Sequence, residues 1–436
     1  MPPLKETIWT EAQAERKLRS LELFGMRFGL DRMRRMMTVL DSPERRFPAV
    51  HVLGTNGKSS TTRMTAAILQ HHGLRTGAYL SPHLVSYRER VLIDGRELDT
   101  QTFAAAVGRA SWAAERVNRT LAEDDHVTQF ELLTAAALWE MAREEVDVAV
   151  IEAGLGGRYD ATSVVQAPVM VLTNVGLEHT RWLGPTVTDI AEEKLAAVQA
   201  GAVLVLGADL APAALEVAER VARERQALIV RPGPAPAANE LLARGAFQQR
   251  NFAAARAAAE AYLQIAGIAP SEQAIAQAAA TTAVPGRLQL IDEDPPTVLD
   301  GAHNPDAVRA LVQSLPDAVA KAPLALVLGV LDDKDAAAML ASLLPVTERA
   351  WFTVPPSSRA LSPAALQSLA RQLGFDDSVC EPRPARALEQ ARRWAAEHGG
   401  VVLATGSVYL VGDLLGALAG SDTLAVSRAS PESPGR

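Results

Sequence analysis

The sequence predicts an α/β protein with two domains, the first built on a mostly parallel sheet. Short apolar segments alternate with longer segments of helical periodicity, as expected of a chain that passes repeatedly from strand to helix. The predicted strands of the first domain are 48–53, 76–80, 147–152, 168–173, 202–206 and 226–230. One of the intervening helices, Gln129–Glu145, carries an apolar stripe formed by Leu132, Leu133, Ala136 and Trp139.

A second alternation of the same kind follows an interruption at Val284-Pro285-Gly286-Arg287. Its predicted strands lie near 297–300, 324–329, 350–354 and 400–404, and its helices near 305–315, 334–343, 363–373, 385–397 and 408–419. An Ala-rich stretch before the interruption, 251–281, is predicted to be helical. We therefore divide the chain into a first domain at 1–285, a smaller Rossmann-like α/β domain at 286–420, and a Ser/Pro-containing tail at 421–436 that we expect to be disordered.

The composition is that of a large globular protein, with 436 residues of which 48% are hydrophobic and 22% charged. A formal net charge of −8 argues against a nucleic-acid partner, and no apolar run is long enough to cross a bilayer. The single cysteine, Cys380, supplies neither a disulfide framework nor a cysteine-based metal site. We expect a cytoplasmic monomer without nucleic-acid or membrane partners.

The segment Gly54–Ser59 has the features of a phosphate-binding loop. It reads G-T-N-G-K-S, a shortened variant of the G-x-x-x-x-G-K-[ST] loop, and it joins a predicted buried strand to a helix predicted from Lys58 to about His72. Such a turn directs backbone N–H groups and a helix N-terminus at one point, where glycines let a phosphate approach closely. Lys58 is placed to reach the β- and γ-phosphates and the Ser59 hydroxyl to face Mg²⁺. The segment therefore predicts a protein that binds a nucleoside triphosphate.

Polar residues follow two further predicted strands of the first domain. Glu152 ends the strand 147–152, and His179 lies in the loop after the strand 168–173. Because ligands of α/β proteins bind at the carboxyl ends of parallel strands, both residues are candidate ligands for a divalent cation beside the nucleotide. The Gly154–Gly157 run after Glu152 lacks the full spacing of a dinucleotide-binding fingerprint, which argues against a dehydrogenase.

Two other positions have less distinctive surroundings. Lys194 is predicted to begin a helix as an ordinary surface lysine. Asp300 lies at the tip of the first strand of the second domain, and Asn304-Pro305 is typical of a helix start. Neither position, taken alone, predicts a function.

Taken together, these motifs resemble the Mur ligase superfamily of ATP-dependent amide-forming enzymes. The segments that carry the resemblance are the phosphate loop, Glu152 with the glycine run after it, His179, and Asp300–Pro305. The chain is similar to the folylpolyglutamate synthases of that superfamily through Ser81-Pro82-His83-Leu84, Tyr87, Glu89-Arg90-Val91, Phe130-Glu131, Ala161-Thr162 and Leu183-Gly184-Pro185-Thr186. The similarity extends over residues 20–415 and is greatest to the bacterial bifunctional dihydrofolate synthase/folylpolyglutamate synthases.

The resemblance implies roles for individual residues. Those implied to bind ATP are Thr55, Asn56, Gly57, Lys58, Ser59, Asn251, Arg287 and Asp300, of which the last three match contacts to the base, the phosphates and the ribose. The implied metal ligands are Ser81 and Glu152 for one Mg²⁺ and His179 for a second, and Lys194 is implied to be a carbamate. Catalytic roles are implied for Lys58, Lys194 and His303. The implied pterin site comprises Arg27, Phe28, Gly29, Leu30, Thr128, Gln129, Phe130, Glu131, Tyr159, Asp160 and Ala161.

The implied activity is the ATP-dependent addition of L-glutamate to dihydropteroate and to the γ-glutamyl end of reduced folates, with ATP as a substrate and Mg²⁺ as the cofactor. An acyl phosphate activates the carboxylate, so that positioning and electrostatics suffice without a protein nucleophile. A monofunctional folylpolyglutamate synthase and another Mur-type amino-acid ligase remain alternatives. A motor or switch NTPase shares the phosphate loop but does not account for His179 and Asp300–Pro305. For Asp160, capping a helix at Ala161 is the alternative to binding a pterin.

Overall fold

The computed structural model describes residues 9–21, 29–318 and 322–427, which divide into two compact units. The first unit contains the chain up to His83, Tyr87–Leu242 and Gln248–Ala283. The second unit contains the chain from Val284 together with two short earlier segments, Leu84–Ser86 and Ala243–Phe247. The predicted domain boundary at residue 285 does not include these two segments in the second unit, because their assignment depends on packing against residues far along the chain.

In the described part of the chain, the first unit has an eight-stranded sheet with the order β4-β3-β2-β5-β1-β6-β7-β8. The strands are β1 Ala49–Leu53, β2 Thr76–Tyr79, β3 Val91–Ile93, β4 Arg96–Glu97, β5 Val148–Glu152, β6 Val169–Leu172, β7 Val203–Leu206 and β8 Leu228–Val230. All pairings from β2 to β8 in this order are parallel, which confirms the predicted mostly parallel sheet. Every residue of β1, β5 and β6 is buried, as expected of central strands covered on both faces.

The strands β3 and β4 were not predicted from the sequence, and they add an antiparallel hairpin to the edge at β2. Asp94 and Gly95 turn the chain between them with positive φ angles of 48° and 71°. An Asp-Gly pair between two short strands is a hairpin signal, because both central residues of such a turn need left-handed backbone. The signal was present in the sequence, but the strands beside it are too short to show a period.

The helices that precede the second sheet in the chain are α1 Glu11–Leu21, α2 Asp31–Val39, α3 Lys58–His71, α4 Thr100–Asn118, α5 Gln129–Arg143, α6 Thr180–Leu183, α7 Val187–Leu195, α8 Pro212–Arg225, α9 Ala246–Ala266 and α10 Glu272–Thr281. The predicted single helical stretch 251–281 is wrong in its middle, because α9 ends before Gly267, whose φ is +72°, and α10 begins after Ser271. The Ser271 hydroxyl accepts a hydrogen bond from Ala274 N and so caps α10.

The second unit has, among the residues described, a six-stranded sheet with the order β13-β12-β11-β14-β10-β9. Its strands are β9 Gln289–Glu293, β10 Pro296–Leu299, β11 Leu324–Leu328, β12 Arg349–Phe352, β13 Ser378–Cys380 and β14 Val401–Thr405. Only β9 runs antiparallel to its neighbour within this sheet as described. Its helices are α11 Pro305–Ala318, α12 Ala336–Leu343, α13 Pro363–Gln372, α14 Pro384–His398 and α15 Val408–Ser427.

The last helix extends past residue 421, where the predicted tail begins. α15 continues to Ser427, and residues 428–436 lie outside the described part. Its sequence is rich in Leu and Ala, which are strong helix formers, and this outweighs the scattered Ser and Gly residues. Within the described ranges, no helix has the length and apolar character that crossing a membrane requires.

Candidate active site

The phosphate loop lies at the carboxyl end of β1, between the ends of β5 and β6, because β1 is flanked by those two strands in the sheet. Gly54 and Gly57 have positive φ angles of 145° and 81°, and α3 begins directly afterwards at Lys58. A side chain at Gly54 would overlap the Thr173 hydroxyl, and one at Gly57 would overlap the amide of Asn251. Glycine is therefore favoured at both positions, by the positive φ angle and by the neighbouring side chain that would overlap a Cβ atom.

Residues at the end of β6 hold the loop in place. The backbone carbonyl of Asn174 accepts a hydrogen bond from Thr55 N at 3.0 Å, and its side-chain Oδ1 accepts one from Asn56 N at 2.8 Å. The Thr173 hydroxyl donates to the Asn56 carbonyl at 2.7 Å. The sequence analysis assigned no role to Thr173 or Asn174, although their place directly after a central strand was a signal.

Glu152 is the centre of the polar contacts on the other side of the loop. Its Oε1 accepts a hydrogen bond of 2.9 Å from the Ser59 hydroxyl, and its Oε2 accepts one of 2.9 Å from the backbone N–H of Ser81. The carboxylate is only 1% exposed, and Lys58 extends over the loop with its Nζ 3.0 Å from the Thr55 carbonyl. The structure thus brings together Ser59, Ser81 and Glu152, three residues that the sequence analysis connected with Mg²⁺.

The donor set around Glu152 fits Mg²⁺ but does not form a complete protein cage. Within the described ranges, no group of three or more His, Cys, Asp and Glu side chains is arranged to hold a metal ion. Mg²⁺ is commonly held by one or two carboxylates together with substrate phosphates and water, and a single buried carboxylate beside a phosphate loop matches that pattern. His179 precedes α6 in a left-handed conformation with φ of 54°, and its Nε2 is 3.9 Å from Glu178 Oε1.

The position and the burial of Lys194 both differ from the sequence prediction. The residue lies near the end of α7, not at its beginning, because the helix starts at a capping box formed by Thr186 and Asp189. It is also buried, with 4% of its surface exposed, and its Nζ donates a 2.7 Å hydrogen bond to the Gly54 carbonyl. Burial, with a further contribution from the positive charge of Lys58, lowers the pKa of Lys194 to about 7.

Several residues of the expected pterin site are engaged in the protein's own hydrogen bonds. Thr128 and Glu131 form the capping box of α5. The Glu131 carboxylate also pairs with the buried Arg32 guanidinium at 3.0 Å. Gln129 Nε2 donates to the Leu18 carbonyl at 3.1 Å and to Tyr87 Oη at 3.0 Å. These contacts account for Thr128, Gln129 and Glu131 as residues that hold α5 in place.

The Asp160 carboxylate likewise accepts hydrogen bonds from other groups of the protein. It is 5% exposed, accepts hydrogen bonds from the Thr162 hydroxyl and backbone N–H, and accepts one from Leu155 N at 2.6 Å. Because the Thr162 hydroxyl donates its proton to Asp160, the same hydroxyl accepts a hydrogen bond of 2.8 Å from His51 Nε2. Burial lowers the pKa of His51 to about 4. Burial is also the main influence on the pKa of Asp160, which it raises. The arrangement is that of a cap before the short 3₁₀ turn Ala161–Val164.

The other residues of the expected pterin site differ in their exposure. Tyr159 is 47% exposed, whereas Ala161 is buried. Phe130 packs against Gly154, where a side chain would overlap the aromatic ring, and its ring centroid is 6.0 Å from that of Tyr79. Gly29 and Leu30 directly precede α2, and Arg27 and Phe28 lie outside the described residues.

Polar residues of the second unit follow β10. Asp300 is 2% exposed and accepts hydrogen bonds of 2.8 Å from Leu288 N and Ala302 N, and burial is the main cause that raises its pKa. The Nδ1–H group of His303 donates a hydrogen bond of 2.8 Å to the Gly301 carbonyl. The Arg287 guanidinium lies against Gly301, where it would overlap a Cβ atom.

Two family models match this chain: the Mur ligase middle domain over residues 52–230 and the Mur ligase, glutamate ligase domain over residues 286–408. A folylpolyglutamate synthase from Lacticaseibacillus casei is 34% identical over 77% of this chain and 84% of its own length. A dihydrofolate synthase/folylpolyglutamate synthase from Bacillus subtilis is 31% identical over 90% of this chain and 95% of its own length.

Solved structures agree with these matches. Mycobacterium tuberculosis folylpolyglutamate synthase complexed with ADP and AMPPCP superimposes with a TM-score of 0.87 at 30% identity, covering 94% of this chain and 99% of that one. E. coli FolC in complex with DHPP and ADP gives a TM-score of 0.83 at 29% identity and covers 95% and 98%.

The fold and the phosphate loop, together with both domain matches, define an ATP-dependent ligase of the Mur class, as the motifs predicted. ATP is therefore a substrate of this protein, consistent with the nucleotides bound by its structural relatives. Within that class, the chain belongs to the dihydrofolate synthase/folylpolyglutamate synthase family.

Proposed function

We propose that this protein joins L-glutamate to dihydropteroate, which forms dihydrofolate, and to the γ-glutamyl end of reduced folates. The observation that carries the proposal is the buried Glu152 carboxylate, which contacts Ser59 at the start of α3 and the backbone of Ser81. The bifunctional names of relatives that match most of the chain support both acceptors. The structure of E. coli FolC in complex with DHPP and ADP supports an acceptor site in addition to a nucleotide site.

The chemistry proceeds in two displacements. An oxygen of the acceptor carboxylate attacks the γ-phosphorus of ATP, which breaks the bond to the β-phosphate oxygen and releases ADP. The amino group of glutamate then attacks the acyl carbon, loses a proton, and the C–O bond to phosphate breaks. No side chain of the protein forms a covalent bond in either step, so catalysis depends on positioning and charge neutralisation.

The first unit supplies the groups that receive the phosphates. Backbone N–H groups of the loop, the N-terminus of α3 and the Lys58 ammonium group carry the positive potential there. Ser59, Ser81 and Glu152 would hold one Mg²⁺ and His179 a second, and Mg²⁺ would neutralise phosphate oxygens during transfer. Lys194, in the carbamate form, would add an anion that orients the metal.

For the nucleotide we propose contacts of Asn251 with the base, Arg287 with phosphates and Asp300 with the ribose, and for His303 a catalytic role. Asn251 lies directly against Gly57 of the phosphate loop, which supports its place near the nucleotide. The internal hydrogen bonds of Glu131 and Asp160 favour Phe130 and Tyr159 as the residues of the pterin site that touch the ring system.

The test is the release of ADP with dihydropteroate or tetrahydrofolate as acceptor, each with and without L-glutamate. We expect glutamate-dependent ADP release with both acceptors. Turnover with tetrahydrofolate alone would identify a monofunctional folylpolyglutamate synthase, which is the name of the L. casei relative. Turnover without any acceptor would contradict the ligase assignment.

A further inference from the structure

A buried glutamine precedes Asn251 by one turn of α9. Gln248 is 0% exposed, and its Oε1 accepts a hydrogen bond of 2.9 Å from Asn251 Nδ2. Its own amide nitrogen, Nε2, has no hydrogen-bond partner among the described residues. The sequence analysis did not single out this residue, because a glutamine in an Ala-rich helix has no distinctive pattern.

The unpartnered nitrogen of Gln248 lowers the stability of the folded protein. A buried donor without an acceptor loses its hydrogen bonds to water and forms none in the protein. An apolar side chain of similar size at this position would therefore avoid this loss of stability. The position is therefore better explained by what Gln248 does for its neighbour than by its contribution to folding.

That neighbour faces the phosphate loop. A Cβ atom at Gly57 would overlap Asn251 Oδ1, which places the amide oxygen of Asn251 directly against the loop. Because Nδ2 is held by Gln248 Oε1, the two ends of the Asn251 amide are not interchangeable. One end is always the acceptor Oδ1, and the other presents its remaining N–H.

We propose that Gln248 is a positioning residue that fixes the orientation of the Asn251 amide and thereby makes the site selective for adenine over guanine nucleotides. The inference rests on the proposed contact of Asn251 with the base. A fixed asparagine amide pairs with adenine by accepting from the N6 amino group and donating to N7. Guanine presents two acceptors, O6 and N7, at the same edge, so that Oδ1 would face an acceptor. An asparagine free to rotate its amide would lose much of this discrimination.

The experiment compares the binding of ADP and GDP by calorimetry for the parent and for three variants. Gln248→Met removes the acceptor for Asn251 at similar volume. Gln248→Glu retains an oxygen that accepts from Asn251 Nδ2 and serves as the conservative variant. Gln249→Met is the matched control, because Gln249 instead donates to the Pro236 carbonyl at 3.0 Å.

We expect the parent to prefer ADP, and the ratio of the GDP to the ADP dissociation constant to fall about tenfold or more in Gln248→Met. Gln248→Glu should retain more of the preference than Gln248→Met, and Gln249→Met should equal the parent. The melting temperature of Gln248→Met should change little, because removal of an unpartnered buried donor offsets the loss of the hydrogen bond from Asn251. An unchanged ratio in a folded Gln248→Met protein, or a parent that binds both nucleotides equally, would overturn the inference while leaving the ligase function intact. A parent that binds neither nucleotide would overturn the proposed function as well.

Discussion

The Nζ atom of Lys194 donates a 2.7 Å hydrogen bond to the backbone carbonyl of Gly54, a residue 140 positions earlier in the chain. The bond connects the end of α7 to the turn that carries the phosphate loop. Burial and the nearby charge of Lys58 lower the pKa of Lys194 to about 7, so a large fraction of the amine is neutral near that pH. A neutral amine is the form that reacts with CO₂, which supports the proposed carbamate.

Carbamate formation joins the Lys194 nitrogen to the carbon of CO₂ and releases one proton. We expect the parent to lose activity in CO₂-depleted buffer and to regain it with bicarbonate. Lys194→Ala should lower kcat about 10–100-fold, the range found for groups that orient metal ligands. Acetate or formate should partly restore this variant, because either supplies a carboxylate. Lys17→Ala, on α1, is the control variant. Equal activity of the parent with and without CO₂ would contradict the proposal that Lys194 is a carbamate.

The lowered pKa of Lys194 also predicts how stability changes with pH in CO₂-depleted buffer. Its pKa is about 7 in the folded protein and 10.5 as the ordinary value. Between these values the unfolded chain binds a proton that the folded chain does not, so the free energy of unfolding rises with pH. The melting temperature of the parent should therefore rise relative to that of Lys194→Met from pH 7 towards pH 10. A constant difference between the two proteins would show that Lys194 does not titrate in this window.

Lys58 contacts the backbone of its own loop and is placed for charge neutralisation. We expect Lys58→Ala to lower kcat on the order of 10²-fold or more with either acceptor. Its melting temperature should stay within about 2 °C of the parent, because the side chain is only partly buried and its ammonium group hydrogen-bonds to a carbonyl of its own loop. Lys17→Ala again serves as the control. A folded Lys58→Ala protein with near-normal turnover would remove the phosphate loop from the mechanism.

Glu152 has both carboxylate oxygens engaged at the loop, and a neutral amide is a poorer ligand for a hard cation. We expect Glu152→Gln to raise the Mg²⁺ concentration for half-maximal activity about tenfold or more. His179→Ala should reduce turnover in a similar way. The matched control is Glu140→Gln, since Glu140 is buried but pairs with Arg143 on α5. Unchanged Mg²⁺ titrations of both Glu152→Gln and His179→Ala would exclude these residues as ligands.

The contacts of Asp160 indicate a capping role, and this makes a different prediction from a pterin contact. Asp160→Ala should cost about 1 kcal/mol of stability and impair both acceptors by the same factor. Phe130→Ala should instead raise KM for dihydropteroate and leave KM for ATP unchanged, because it removes a ring that would pack on the pterin. A selective increase in KM for dihydropteroate in Asp160→Ala would restore the pterin role of its carboxylate.

Much of the first unit was predictable from short stretches of sequence. The strand before Gly54, the turn and the helix from Lys58 follow from local composition and backbone preference, and the structure places α3 at Lys58 as predicted. Glu152 was identified because it ends an apolar strand. Once strands are known to be parallel, residues that follow their carboxyl ends meet at one edge of the sheet. The pairing of Ser59 with Glu152 is a consequence of that rule.

The sequence by itself therefore determined the α/β class, the mostly parallel first sheet and the nucleotide-binding loop, since each depends on residues close together in the chain. Only the tertiary structure decided that Lys194 is buried, that Glu131 pairs with Arg32 and that Gln248 holds Asn251 against Gly57. Burial and hydrogen-bond partners depend on which distant segments pack together, and Arg32 and Glu131 are 99 positions apart. Local periodicity carries no information about such contacts, because the same lysine, glutamate or glutamine would be equally acceptable on an exposed helix face.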